Sequence, residues 1–212
     1  MENFEQFVGT LDNDEIGRIK ILLEKAFSKK FNIDYLKWLY MDNPNGKAIT
    51  YNISDKDKIV GHYAIIPTVV VIDNKKYKAA LSLNTAVDKN YRGKGFFKKM
   101  AEKTYLEAKR SGINFIFGIS NQQSTNLFLK YFNFQDLGQL DVKIGFGNVK
   151  ETINRKKIKF FWDKRSLKWR VKNPRYKYKF MIKKDKFLIF NTIYKIINIF
   201  MGEYNLNDME IV

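Results

Sequence analysis

From Asp12 to Phe27, the residues Ile16, Ile19, Leu23, Ala26 and Phe27 recur at the spacing of one helical face, which predicts a first amphipathic helix. A shorter aromatic-rich helix follows from Asp34 to Met41, carrying Tyr35, Trp38 and Leu39, and Asn43-Pro44-Asn45-Gly46 forces a turn after it. Strand patterns occupy Lys47 to Ser54 and Lys58 to Pro67, with Asp55-Lys56-Asp57 turning between them. Asp73-Asn74 then reads as a hairpin turn between Val69–Ile72 and Tyr77–Val87.

Helical spacing returns between Gly95 and Ser111, where Phe96, Phe97, Met100, Ala101, Thr104 and Ala108 share a face and Gly112 closes the segment. A short buried strand is expected from Asn114 to Ile119, then a polar bend at Asn121-Gln122-Gln123, a helix from Ser124 to Tyr131 and a strand beginning near Phe134. Antiparallel strands followed by a strand-loop-helix-strand unit argue for a mixed α/β (α+β) fold, with helices on both faces of one mostly antiparallel central sheet.

Charge changes the picture in the last third. The 212 residues hold 39 Lys plus Arg against 22 Asp plus Glu, a formal net charge of +17, which favours polyanionic partners. Between Lys150 and Lys186 stand 16 basic and 3 acidic residues, so anion binding by the earlier part must rest on specific residues rather than on bulk charge. The same stretch repeats an earlier pattern. Leu36-Lys37-Trp38, Asn43-Pro44 and two strands are echoed by Leu167-Lys168-Trp169, Asn173-Pro174 and the runs Tyr178–Ile182 and Lys186–Ile193. The turns match as well, Asp55-Lys56-Asp57-Lys58 against Lys183-Lys184-Asp185-Lys186. A main domain over 1–147 and a basic extension over 148–212, a partial second copy of the early helix-strand-strand unit, are expected.

The absence of cysteine excludes disulfides and a thiol nucleophile, and a single histidine argues against a metal site. With no leader-like start and no apolar stretch of membrane-spanning length, a cytoplasmic location is expected.

The candidate chemistry lies in Val87-Asp88-Lys89-Asn90-Tyr91-Arg92-Gly93-Lys94-Gly95-Phe96-Phe97, between a predicted strand and a predicted helix. Two glycines let the chain curl so that N–H groups with no helical partner converge, and a diphosphate fits there. Arg92, Lys94, Lys98 and Lys99 add positive charge. A P-loop would end in Gly-Lys-Ser/Thr, and a dinucleotide fold would place its glycines early in the chain; neither pattern is present.

In Arg92-Gly93-Lys94-Gly95-Phe96-Phe97 the chain resembles the GNAT superfamily of N-acetyltransferases, whose signature is Gln/Arg-x-x-Gly-x-Gly/Ala at a helix start. The match holds through Gly95 and departs at Phe97, where a small residue is usual. It continues with the strand Phe115–Ser120, with Asn121 and Ser124 opening a helix, and with Phe128 to Phe134 at its end. The resemblance covers residues 11–147. It implies acetyl-CoA as co-substrate, held by backbone groups at Ala86 and Val87, by amides from Arg92 through Gly93, Lys94, Gly95 and Phe96 to Phe97, and by Asn121, Ser124 and Phe128.

The family's usual thiolate donor is a tyrosine on the helix after the second central strand, but alignment on Phe134 puts Leu129 or Phe128 there, and Tyr131 is the nearest hydroxyl. As bases, Asp88 stands at the strand end and His62 on a neighbouring strand, while Asn84 and Ser82 offer sites for a water. Each also has a structural reading: Asp88 as a turn residue, His62 as a core histidine, Tyr131 as packing. The aromatic set Tyr35, Trp38 and Tyr40 either stacks on an acceptor or packs the core.

The expected reaction is acetyl transfer to a primary amine of a small molecule, an amino sugar or nucleotide-linked sugar, with an anionic acceptor suiting the charge. The alternative is a non-catalytic or RNA-binding module keeping the same fold, motivated by the missing tyrosine and the basic extension; there, lysine-rich alternation reads first as a solvated sheet face and second as a nucleic-acid surface. Paired modules also raise a peptidyl or aminoacyl transferase. The oligomeric state is open.

Overall fold

The computed structural model describes residues 4–138, 158–183, 186–193 and 197–205. One mixed sheet organises the described chain. Its order is β1 (Glu5–Val8), β2 (Ile49–Asp55), β3 (Lys58–Ile72), β4 (Lys75–Val87) and β5 (Phe115–Gly118), all neighbours antiparallel except the parallel β4–β5 pair. Helices α1 (Asn13–Phe27) and α2 (Ile33–Tyr40) precede β2, α3 (Phe96–Arg110) links β4 to β5, and α4 (Gln122–Phe132) follows.

The helices pack where their apolar faces require. On one side of the sheet Ile16, Ile19, Leu22, Leu23, Leu36 and Leu39 meet Ala64, Ile66 and Ala86. On the other, Phe96, Met100, Ala101 and Ala108 of α3 meet Ile53, Val60, Ile65 and Ala80. Asp12 caps α1 by accepting the Glu15 N–H at 2.8 Å. Phe27, expected on the buried face of α1, is instead largely exposed and lies beside Phe31.

Three further sequence expectations need correction. The predicted strands ending at Pro67 and starting at Val69 are one 15-residue strand, β3. Its first half pairs with β2 as far as Ile65, and its second half, from Val70, pairs with β6 (Ile158–Phe160) on the same edge. Pro67 falls in the gap between these partners, where an edge residue without an N–H is tolerated. Strand β1 was not anticipated: four residues on the sheet edge, mostly exposed, carry too little apolar pattern to announce themselves. The strand expected near Phe134 does not begin there, since residues 133–138 are irregular, and the rest of it, with the 147/148 boundary, lies outside the described residues.

After β6 come α5 (Lys164–Val171) and a separate three-stranded antiparallel sheet of β7 (Tyr178–Lys183), β8 (Lys186–Ile193) and β9 (Ile197–Asn205). No helix among the described residues is long and apolar enough to cross a membrane.

Candidate active site

The parallel pairing of β4 with β5 runs only from Ala79–Phe115 to Ser82–Gly118. Beyond Ser82, β4 continues to Val87 with β3 on one side and no β5 on the other, so the two parallel strands part. Ala86 and Val87 stand on this free stretch, opposite His62 and Gly61 of β3. In the same stretch the β3–β4 register slips, and Asn84 and Thr85 together face Tyr63. Asn84 has φ +55°, a conformation that asparagine adopts more readily than most side chains.

Asp88 anchors the turn that follows. Its N–H donates to the Val60 oxygen at 2.9 Å, and its carboxylate accepts the Asn90 N–H at 3.1 Å. The ammonium groups of Lys25 and Lys58 reach the same carboxylate oxygen at 3.0 and 2.6 Å. Burial pushes the Asp88 carboxyl up, but the bonds from Lys58, Lys25 and the Asn90 N–H outweigh it and hold the group well below the usual carboxylate range. A carboxylate held ionised by two cations is a poor proton acceptor, so its geometry serves the loop rather than general base catalysis.

The chain then enters α3 through Gly93 (φ +81°) and Gly95 (φ +74°), both left-handed, with open space around each Cα. Gly95 stands at the N-cap with no side chain capping the helix, and the first turn has no acidic residue. It has Lys98 and Lys99 instead, both exposed like Arg92 and Lys94. Cations at a helix N-terminus oppose the helix dipole, so the local sequence favours a bound anion over the bare helix. Phe97, the departure from the family pattern, turns its ring between α3 and α4, with Phe128 at 5.3 Å and Phe132 at 5.7 Å, leaving the turn itself open.

On α4, Asn121 accepts the Ser124 N–H at 2.9 Å and Ser124 Oγ accepts the Asn121 N–H at 3.1 Å, so these side chains form a capping box with each other. Phe128 packs on Phe97 and Phe134. Tyr131 is exposed, with the ammonium groups of Lys98 and Lys130 within 5.7 and 5.5 Å of its ring centre. It therefore sits beside the first turn of α3.

His62 and Asn84 belong to a buried chain of polar groups. Glu15 accepts the Leu11 N–H at 2.8 Å and the Thr10 hydroxyl at 2.7 Å, and the Asn52 amide also donates to it. Asn52 Oδ1 lies 2.6 Å from His62 Nδ1, Tyr40 Oη lies 3.1 Å from His62 Nε2, and the Asn84 amide donates to Tyr40 at 2.8 Å. Burial lowers the His62 pKa to about 3, so the ring is neutral at pH 7 and has both nitrogens occupied. Burial likewise pushes the Tyr40 phenol up. On the opposite face Ser82 and Tyr105 each bond the Tyr63 hydroxyl at 2.8 Å. Glu15, Asn52, Tyr63 and Tyr105 were missed by sequence reasoning, and Tyr40 was read only as stacking or packing; the lone histidine His62 in the apolar run of β3 was the available sign.

The aromatic set is packed rather than open. Tyr40 is fully buried, Trp38 lies against Trp169, and Tyr35 is sandwiched between Trp38 at 5.5 Å and the Arg175 guanidinium at 4.7 Å.

Comparison with known proteins agrees with this geometry. The family described as "Acetyltransferase (GNAT) domain" matches residues 8–127. A protein of Amsacta moorei entomopoxvirus, provisionally named a glycylpeptide N-tetradecanoyltransferase, is 26% identical over 138 residues, which are 65% of this chain and 44% of that protein. The chain thus spans less than half of that relative's length. Among solved structures, an acetyltransferase of Trypanosoma brucei aligns with TM-score 0.54 at 14% identity, over 67% of this chain and 100% of the other. Glucosamine-6-phosphate N-acetyltransferase from Arabidopsis thaliana aligns with TM-score 0.53 at 16% identity, over 69% and 100%. An aminoglycoside acetyltransferase from a soil metagenome aligns with TM-score 0.52 at 16% identity, over 68% and 99%. At such identities these structures speak for the fold, while the family match extends over more than half of the sequence and includes β4, the glycine turn and α3: the chain belongs to the GNAT acetyltransferase family.

Proposed function

We propose that this chain transfers an acetyl group from acetyl-CoA to the primary amine of a small molecule, with an amino sugar or nucleotide-linked sugar as the acceptor class. The observation that carries the reading is one continuous path: β4 parts from β5 after Ser82, runs past Ala86 and Val87 with β3 on one side only, and ends at an uncapped, lysine-ringed helix start.

Acetyl-CoA supplies an activated thioester carbonyl; the chain's part is to bind, orient and exclude water. Main-chain groups of Ala86 and Val87 orient the arm that carries the thioester, and amides from Arg92 to Phe97 hold the diphosphate. Each such N–H bond to a charged acceptor contributes about 1.5 to 3 kcal/mol, and the helix dipole adds about 0.3 to 1 kcal/mol. Asp88 is neutralised by two lysines and His62 is enclosed, so neither is placed to take the proton lost by the amine.

The test is a melting curve. Acetyl-CoA at about 100 times its Kd adds about 2.7 kcal/mol, which for a chain of this size raises Tm by roughly 5 to 10 °C. Gly95→Glu, placing a carboxylate where the diphosphate would lie, abolishes the rise. An unchanged Tm of the wild-type protein at saturating acetyl-CoA contradicts the reading.

Residues 1–147 form the acyltransferase domain in this proposal and 148–212 a partial second module. Support comes from matched details: Leu36 and Leu167 are both buried on their helices, and Asn43 and Asn173 accept N–H groups two residues on, at 3.0 and 2.9 Å. Each helix also begins with a side-chain cap, Asn32 for α2 and Asp163 for α5.

A further inference from the structure

The buried chain between Glu15 and Asn84 has a direction that chemistry dictates. Glu15 accepts the Leu11 N–H and the Thr10 hydroxyl on Oε2, and Asn52 turns its NH2 to donate to Oε1. That leaves Asn52 Oδ1 facing His62 Nδ1 at 2.6 Å, and an amide oxygen only accepts, so Nδ1 must carry the histidine proton. His62 Nε2 is then a bare acceptor, which requires the Tyr40 hydroxyl to donate into it. The oxygen of Tyr40 is thereby left to accept from the Asn84 amide, as the 2.8 Å contact has it. Every link is decided by the one before it.

The chain ends at Asn84: its NH2 donates to Tyr40, which leaves the carboxamide oxygen as the group that the side chain offers beyond the chain, and Asn84 is half-buried on the stretch of β4 that has lost β5. The bulge and the left-handed backbone at Asn84 turn its side chain to the α2 side of the sheet, where Tyr40 holds it. Backbone strain kept at a gap between strands points to a positional demand there.

We propose that Asn84 positions the acceptor amine, its carboxamide oxygen accepting a hydrogen bond from the attacking nitrogen at the gap between β4 and β5, and that Tyr40, His62, Asn52 and Glu15 are positioning residues that fix which way the carboxamide faces. The proposal rests on the acyltransferase reading above. Two of the five groups are carboxamides, which relay orientation but no proton, so the chain is an aiming device and not a path to a base.

His62 is the sole histidine of the sequence, so labelling the protein with 15N-histidine gives one ring to read. At pH 7 the expected spectrum is that of the neutral ring protonated at Nδ1, with Nε2 an acceptor. A ring protonated at Nε2 overturns the proposal, because the chain would then run the other way and present the Asn84 NH2. The second arm follows acetyl transfer from acetyl-CoA to methylamine, a primary amine small enough to enter whatever the acceptor pocket's shape. Asn84→Gly suits the positive φ and so preserves the backbone; it is expected to lower kcat/KM for methylamine about 10 to 100-fold with the KM for acetyl-CoA unchanged, and Tyr40→Phe about ten-fold. Methylamine kinetics unaltered in Asn84→Gly overturn the proposal. Failure of the underlying reading shows differently, as a wild-type melting curve indifferent to acetyl-CoA while the histidine spectrum stays as expected.

Discussion

Trp38 and Trp169 stack with ring centres 4.3 Å apart and planes 9° apart, and each indole Nε1–H donates to the other residue's main-chain oxygen, at 2.8 and 3.0 Å. The contact is reciprocal, residue for residue, in the way that contacts across a two-fold axis are. Arg165 extends it by donating to the Pro44 oxygen at 3.1 Å. Helices α2 and α5 thus clasp each other, which ties α5 to the helix that precedes β2.

That reciprocity sets a stability prediction. Trp38→Ala and Trp169→Ala each remove one indole N–H bond and leave one face of the partner's ring unmatched, while the main-chain oxygen that accepts the partner's N–H stays, so their costs overlap through the lost stacking. The double variant should be less destabilised than the sum of the singles by about 1 to 3 kcal/mol in urea melts. Simple additivity would show that the two rings contribute independently.

Asp88 sets a second. Because its folded-state pKa is depressed, its contribution is full above the ordinary carboxylate value of 3.8 and is lost as pH falls towards the lower folded value. Both lysine partners are nearly half exposed, which screens the pairs, so Asp88→Asn should cost only about 1 to 2 kcal/mol at pH 7. Urea midpoints of the two proteins should converge below about pH 4. A gap that persists undiminished there assigns the loss to the altered turn and not to the ion pairs.

His62 sets a third, with the opposite group but the same limb. The folded ring resists protonation down to about pH 3, while the unfolded ring takes a proton near 6.5, so the unfolded state binds more protons between those values. Stability should fall by about 1.4 kcal/mol per pH unit below pH 6 from this group alone. His62→Gln, which cannot titrate, should show a shallower fall across pH 6 to 4. Identical slopes would mean that the ring is accessible to protons in the native state.

Much of the frame was legible beforehand. The 3.6-residue spacing of Ile16, Ile19 and Leu23 and of Phe96, Met100 and Ala101 marks two helices because each has a single buried face. The turn at Gly93 and Gly95 was legible because left-handed backbone favours glycine. The chain from Glu15 to Asn84 was not, since its members come from α1, β2, β3, α2 and β4, and periodicity tells which face a residue takes but not which residues meet across it. Asn121 and Ser124 illustrate the reverse: the pair was legible as a helix start, but not that each would satisfy the other.

The grip on a diphosphate at the start of α3 is tested most directly by titration calorimetry, with CoA and with pantetheine, which lacks the diphosphate and nucleotide. CoA should bind the wild-type protein about 100-fold or more tighter than pantetheine, as expected if two or more charge-assisted N–H bonds are made, and Gly95→Glu should erase the difference. Equal affinity for the two ligands, or a preference for CoA that survives Gly95→Glu, would contradict the account.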